Sequence, residues 1–172
     1  VIKSTRGKIF DRNGKELAKN ILSYSVTFED NGSYETTREK NLTLNGVAYR
    51  VLQILKENGD SLSNTFHIIL DENGNYVFDV EEGFTLNRFR ADIYGHPLID
   101  DLKKEEKNAT AEEMVSYLSG EKGFSIILEG ENAYTEEELT SHGLPKSLSK
   151  QEILQIAIIR YQLNTNSFKK YM

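Results

Sequence analysis

The chain has 172 residues, enough for one domain or two small lobes, with 38 % hydrophobic and 28 % charged residues and a formal net charge of −6. That balance excludes non-specific nucleic-acid binding, which needs a basic field to displace counterions. The absence of cysteine excludes disulfides, thiolate zinc sites and cysteine nucleophiles. No stretch is apolar over the roughly 20 residues that a bilayer span takes, while nine Tyr and eight Phe supply a core and argue against general disorder.

The first expected element is a hairpin. Asn13-Gly14 lies between Lys8-Ile9-Phe10-Asp11 and Lys15-Glu16-Leu17-Ala18, and Asn-Gly suits the two positive φ angles of a type I′ turn. A strand is expected at Ser23 to Phe28, with Tyr24, Val26 and Phe28 on one face. Thr43 to Asn58 reads as a helix with Val47, Val51, Leu52, Ile54 and Leu55 as its apolar stripe and Gly59 as its stop. Thr65 to Val80 alternates as a second hairpin around Asp71-Glu72-Asn73-Gly74.

Helical period returns at Thr85 to Tyr94, with Leu86, Phe89 and Ile93 on one side, and Pro97 to Glu106 reads as a further short helix. Thr110 and Glu113 form a capping box for Ala111 to Leu118, which Gly120 and Gly123 end. Phe124 to Leu128 is a short apolar run, either a strand or a buried turn. Thr135 to Glu138 starts another capped turn. The clearest helix follows Ser149, with Glu152 at the box position and Ile153, Leu154, Ile156, Ala157 and Leu163 on its buried side. Scattered strands and helices without regular alternation give an α+β class, with short hairpins packed against several helices.

The most informative stretch runs from Arg6 to Asn20. Arg6, Gly7, Ile9, Asp11, Arg12, Asn13, Gly14, Leu17 and Ala18 fill every fixed position of a pattern that resembles the first signature of class B penicillin-binding proteins. Physically, Asn13-Gly14 makes the turn, Ile9 and Leu17 can pack against the lobe, and Arg6, Asp11 and Arg12 are hairpin scaffolding. The segment Ser149 to Tyr161, ending in Arg160-Tyr161, resembles the helix that closes the family's dimerisation region. Asn166 to Tyr171 resembles the strand that leads on into the transpeptidase domain.

The resemblance implies a non-catalytic N-terminal region, elongated in form, with no cofactor, metal or catalytic residue of its own. It implies base segments 1–36 plus 149–172 leading to a transpeptidase domain and a head lobe 37–148. The implied partners are that transpeptidase domain of the same chain and a membrane glycan polymerase of the shape, elongation, division and sporulation family. A homodimer is a further implied partner, and nucleic acid is not one. The implied location is the extracellular face of the bacterial membrane, held by a transmembrane helix upstream of Val1.

Catalysis by the chain itself has little to stand on. Ser147-Leu148-Ser149-Lys150 and Ser119-Gly120-Glu121-Lys122 match the loose Ser-x-x-Lys pattern, but no Lys-Thr-Gly or Lys-Ser-Gly occurs. His67, His96 and His142 lack the helical pairing of a zinc site. Asp71 to Asn75 hints at a calcium loop without its spacing. The competing reading is a small exported peptidoglycan hydrolase using a carboxylate pair, a geometry that sequence spacing does not reveal.

Overall fold

The computed structural model describes residues 7–19, 30–62 and 64–169, the stretch 164–169 as helix backbone only. The chain divides into two units, residues 1–30 and residues 31–172. The expected strand at Ser23 to Phe28 lies outside the described residues, as does Arg6.

In the first unit β1 (Ile9–Phe10) pairs antiparallel with β2 (Glu16–Ala18), and the register shifts by a bulge between Ile9 and Phe10. The turn is not type I′. Gly14 has φ +82° while Asn13 is not left-handed, and type I′ needs both. An aspartate organises it instead. Asp11 Oδ1 accepts from the Asn13 and Lys15 N–H groups, each at 2.8 Å, and the Gly14 N–H donates to the Asp11 carbonyl at 3.0 Å. By itself the hairpin leaves Ile9, Phe10 and Leu17 exposed.

The second unit repeats this device. Its hairpin, β3 (Ile68–Leu70) and β4 (Tyr76–Phe78), turns through Asp71, whose Oδ1 accepts from Asn73 at 2.9 Å and Asn75 at 2.8 Å. Gly74 again carries the positive φ, +76°, with open space where a Cβ would stand. The Asp71 hint of a calcium loop is therefore accounted for by a turn. Gly74→Ala should cost about 1 kcal/mol from backbone strain alone, read as a lower urea midpoint at unchanged m-value. No shift would mean that the turn adopts another conformation in solution.

Helix α1 (Thr37–Asn58) starts earlier than the expected Thr43. Thr36 accepts from the Glu39 N–H at 3.1 Å and Glu39 reaches back to the Glu35 N–H at 2.8 Å, a start signal that the polar residues up to Asn41 concealed. Gly59 stops the helix as expected, at φ +70°. The buried face differs from the expected stripe. Asn41, Leu42, Leu44, Asn45, Ala48 and Leu52 face inward, whereas Val47 and Ile54 are exposed.

Helix α2 (Phe84–Tyr94) buries Leu86, Phe89 and Ile93 as expected. The expected helix at Pro97 to Glu106 is two separate turns, a 3-10 turn at Ile99–Asp101 and α3 (Lys104–Lys107). Local caps divide it. Asp101 takes the Leu98 N–H at 3.3 Å and Glu106 takes the Lys103 N–H at 2.9 Å. Helix α4 (Ala111–Ser119) has its Thr110–Glu113 capping box. The run from Phe124 is a buried turn with Ser125 at φ +48°, followed by a 3-10 turn at Gly130–Asn132 and by α5 (Glu136–Ser141) with its Thr135–Glu138 box.

Helix α6 (Lys150–Lys169) begins at the Ser149–Glu152 pair. It continues through Lys169, so Asn166 to Lys169 are helical rather than the expected strand. No Gly or Pro interrupts 150–169, and residues 170 and 171 lie outside the described residues.

The core forms where α6 packs along α1 and α4 packs on β4, α2 and α6. Ile68, Leu86, Met114 and Ile156 are its most completely buried apolar side chains. Phe66 from the hairpin meets Phe89 edge-on at 5.0 Å and Tyr161 at 5.4 Å. Tyr76 Oη donates to the Lys150 carbonyl at 2.8 Å, fastening β4 to the first turn of α6. Among the described residues, the six helices and two small antiparallel hairpins make a mixed α+β fold.

Candidate functional site

The feature that most constrains the second unit is a buried cation. Arg160, 4 % exposed, donates from Nη2 to Asn41 Oδ1 at 2.9 Å and from Nη1 to Asn45 Oδ1 and the Asn41 carbonyl. Asn45, fully enclosed at 0 % exposure, passes the linkage on. Its Nδ2 donates to the carbonyls of Phe124 at 3.0 Å and Ser125 at 3.1 Å. Asn41 Nδ2 donates to Ser125 Oγ at 3.2 Å, and the Phe124 ring lies 5.0 Å from the guanidinium. A buried charge is costly unless it is paired and hydrogen-bonded. This network therefore fixes the register of α6 on α1 and holds Ser125 in its left-handed conformation.

A second clamp stands beside it. Arg38 donates to both Glu138 carboxylate oxygens at 2.7 and 2.8 Å and to the carbonyls of Asn132 and Ala133, stacking 4.5 Å over the Tyr134 ring. Tyr134 Oη in turn donates to the Ser125 carbonyl at 2.9 Å. The Arg38 bond, helped by the Thr135 N–H, draws Glu138 from an ordinary 4.5 down to about 2. A carboxylate depressed on folding contributes stability above its unfolded pKa and loses it as pH falls through the folded one. Thermal midpoints followed from about pH 6 to about pH 2.5 should fall more steeply for the wild type than for Glu138→Gln. Parallel profiles would show that the clamp contributes nothing.

Arg90, 3 % exposed, forms a second buried cation. It grips Glu82 through both oxygens at 2.9 Å and donates to the Ala109 carbonyl at 3.1 Å. The asparagines and these arginine partners were not singled out from sequence. Asn41 and Asn45, one helical turn apart on the face that carries Leu42 and Ala48, are the signal that could have found the first network.

Between the start of α1, the end of α2, the turn after α4 and α6 runs an open groove of about 1010 Å³, lined by Lys40, Ile93, His96, Tyr117, Phe124 and Tyr161 among others. Burial pushes the Tyr161 phenol up to about 12, so it stays neutral at physiological pH. The histidines are spread apart. His67 pairs with Asp79 at 3.0 Å, His96 with Glu106 at 2.8 Å, and His142 with the Glu138 carbonyl at 2.8 Å. No cluster of three or more His, Asp or Glu suited to a metal occurs among the described residues. Ser119 Oγ donates back to the Ser116 carbonyl at 3.4 Å, while Lys150 Nζ reaches Glu112 at 3.4 Å and lies over the Tyr76 ring. Neither arrangement couples a serine to a lysine base.

The sequence model of the penicillin-binding protein dimerisation domain matches residues 1–169. The chain belongs to that family. No curated protein and no solved structure matches it. As a penicillin-binding protein dimerisation domain it is a non-catalytic region. Its signature residues separate into two places. Gly7, Ile9, Asp11, Arg12, Asn13, Gly14, Leu17 and Ala18 all lie on the β1–β2 hairpin, where Asp11 and Gly14 build the turn and Arg12 and Asn13 are exposed on it. Arg160 and Tyr161 lie on α6, one in the buried polar network and the other in the aromatic cluster.

Proposed function

We propose that this domain is the N-terminal dimerisation and pedestal region of a class B penicillin-binding protein, a serine-type peptidoglycan D,D-transpeptidase. The observation that carries this reading is the intact signature from Arg6 to Ala18 at the head of a family match that extends to residue 169. In this reading, segments 1–36 and 149–172 lead toward the transpeptidase domain and 37–148 is the head. The parent is anchored upstream in the membrane and works on its extracellular side. A membrane-embedded glycan polymerase of the shape, elongation, division and sporulation family is the docking partner.

The physics of α6 suits a positioning role. Its 20 residues form one uninterrupted helix, about 30 Å long at 1.5 Å per residue. Arg160 fastens it to α1 and Tyr76 fastens its first turn to β4. A helix held at two points transmits position with little play.

The test uses a fluorescent β-lactam. The full-length gene product should be covalently labelled, and chain 1–172 should neither be labelled nor release fragments from purified peptidoglycan. Labelling of chain 1–172, or glycan turnover by it, would replace this reading with an enzymatic one. A full-length product that never labels would remove the transpeptidase from it.

A further inference from the structure

The groove of about 1010 Å³ among α1, α2, the turn after α4 and α6 is lined by charge of the sign opposite to that of the chain. Lys40, Lys122 and the enclosed Arg160 face a single carboxylate, Asp92, which Arg88 already holds at 3.1 and 2.7 Å. The acids next to the lining in sequence or by contact are engaged as well. Glu106 bonds His96 at 2.8 Å and stands 3.9 Å from Lys103, and Glu121 accepts from Asn132 at 3.4 Å. Lys122 is exposed and has no hydrogen bond or ion pair among the described residues. On a chain of net charge −6, a basic groove draws an anionic group to one place while the remaining surface turns it away.

The rest of the lining is largely apolar, with Ile93, Pro97, Leu118 and Phe124 beside the rings of Tyr117 and Tyr161. Each ring already has a neighbour against it. Tyr161 meets Phe66 at 5.4 Å and Phe89 at 6.3 Å, Tyr117 leans on Tyr94 at 4.8 Å, and the Arg160 guanidinium lies 5.0 Å from the Phe124 ring. A sugar is recognised by stacking on an open ring face, and rings engaged in this way offer little of one. An aliphatic or aromatic side chain asks only for apolar wall. The volume stands at the upper end of what small-molecule sites occupy, room for several residues of a peptide and far more than one carboxylate or phosphate fills.

We propose that this groove binds an acidic segment of a partner protein, with carboxylates on Lys40 and Lys122 and an apolar side chain against Tyr117, Phe124 and Tyr161. The lysines supply selection by charge, and the apolar wall supplies the area that holds the segment once it has arrived. The segment also rests on Asn41, Arg160 and Tyr161, which hold α6 to α1 and to the aromatic cluster. Occupancy therefore favours the folded arrangement of those helices, and the thermal midpoint rises with ligand concentration. The inference does not depend on the parent being a transpeptidase.

The probe is a short fluorescein-labelled peptide of Asp and Glu around a central Leu-Phe pair, titrated with chain 1–172. Its anisotropy should saturate, and amide shifts of the isotope-labelled chain should concentrate at Lys40, Tyr117, Lys122 and Tyr161. Lys40→Glu and Lys122→Glu should each weaken binding about threefold, and the two together about tenfold. Lys107→Glu makes the same change of net charge at an exposed residue outside the groove and should weaken it by less than about twofold. Replacing the peptide's Leu-Phe pair with Ser-Ser should weaken binding by a further factor of about ten. Circular dichroism and thermal midpoints would verify that the variants are folded. Absence of saturable binding overturns the inference, as does binding indifferent to both groove lysines or equally sensitive to Lys107→Glu. Groove shifts with polygalacturonate and none with the peptide also overturn it, giving the groove to an acidic glycan. The β-lactam result is untouched by any of these outcomes, so each reading can fail alone.

Discussion

Arg160→Met should lower the stability of the domain by about 3 kcal/mol, the loss expected when a buried, fully hydrogen-bonded cation is removed and its partners are left behind. Methionine is a fair volume match for the aliphatic stem, so the loss reports the polar network and not a large cavity. The Asn45 amide oxygen and the Asn41 side chain would lose the donor that now joins them, in an interior that water does not reach. For a domain of this size the change corresponds to a thermal midpoint lower by about 6–12 °C. Arg160→Lys should recover little of it, since one ammonium cannot serve the forked set of acceptors. A double-mutant cycle with Asn45→Ala should show coupling above about 1 kcal/mol, because both residues belong to one network. A loss under about 1 kcal/mol with no coupling would mean that α6 is held by its apolar face alone.

The same residues show what the sequence could and could not reveal. Helix starts governed by neighbours were legible. Thr110 with Glu113, Thr135 with Glu138 and Ser149 with Glu152 all cap as their spacing says, since both halves of each cap lie within one turn. The inward face of α1 was not legible. Asn41 fell before the expected helix and Asn45 outside its expected stripe, and the arginine that makes them interior lies more than a hundred residues later. Val47 and Ile54 then took their place in the expected stripe and proved exposed. The Pro97 to Glu106 segment misled for the opposite reason. Its composition is helical, but Asp101 and Glu106 turn back on the backbone and divide it. Both hairpin turns were located correctly, and the first was typed wrongly, because the aspartate that starts it outweighs the Asn-Gly pair. Arg160 and Tyr161 were found through family resemblance, which marks positions without saying what they touch.

Gly46→Ala is the second large effect, and it runs against helix propensity. Alanine in place of glycine within a helix ordinarily gains about 1 kcal/mol. Here a Cβ would fall on the carbonyl oxygen of His142, where the end of α5 rests on α1. A backbone carbonyl cannot rotate aside as a side chain can, so either α1 or the segment after α5 must shift. The expected net loss is about 2 kcal/mol, overpacking having exceeded the propensity gain. Urea unfolding measures it as a lower midpoint. The location of the shift has a signature of its own. If residues 136–144 move, Glu138 is drawn away from Arg38, and the steeper acid loss that the clamp gives the wild type should flatten toward that of Glu138→Gln. If α1 moves instead, the acid profile keeps its shape and the Arg160 network, held by the adjacent Asn45 and by Asn41 about a turn before it, takes the damage. Coupling between Gly46→Ala and Arg160→Met would report that outcome. An unchanged or raised midpoint would show that α5 makes no close approach to α1 in solution, and the glycine would then have no packing reason to be there.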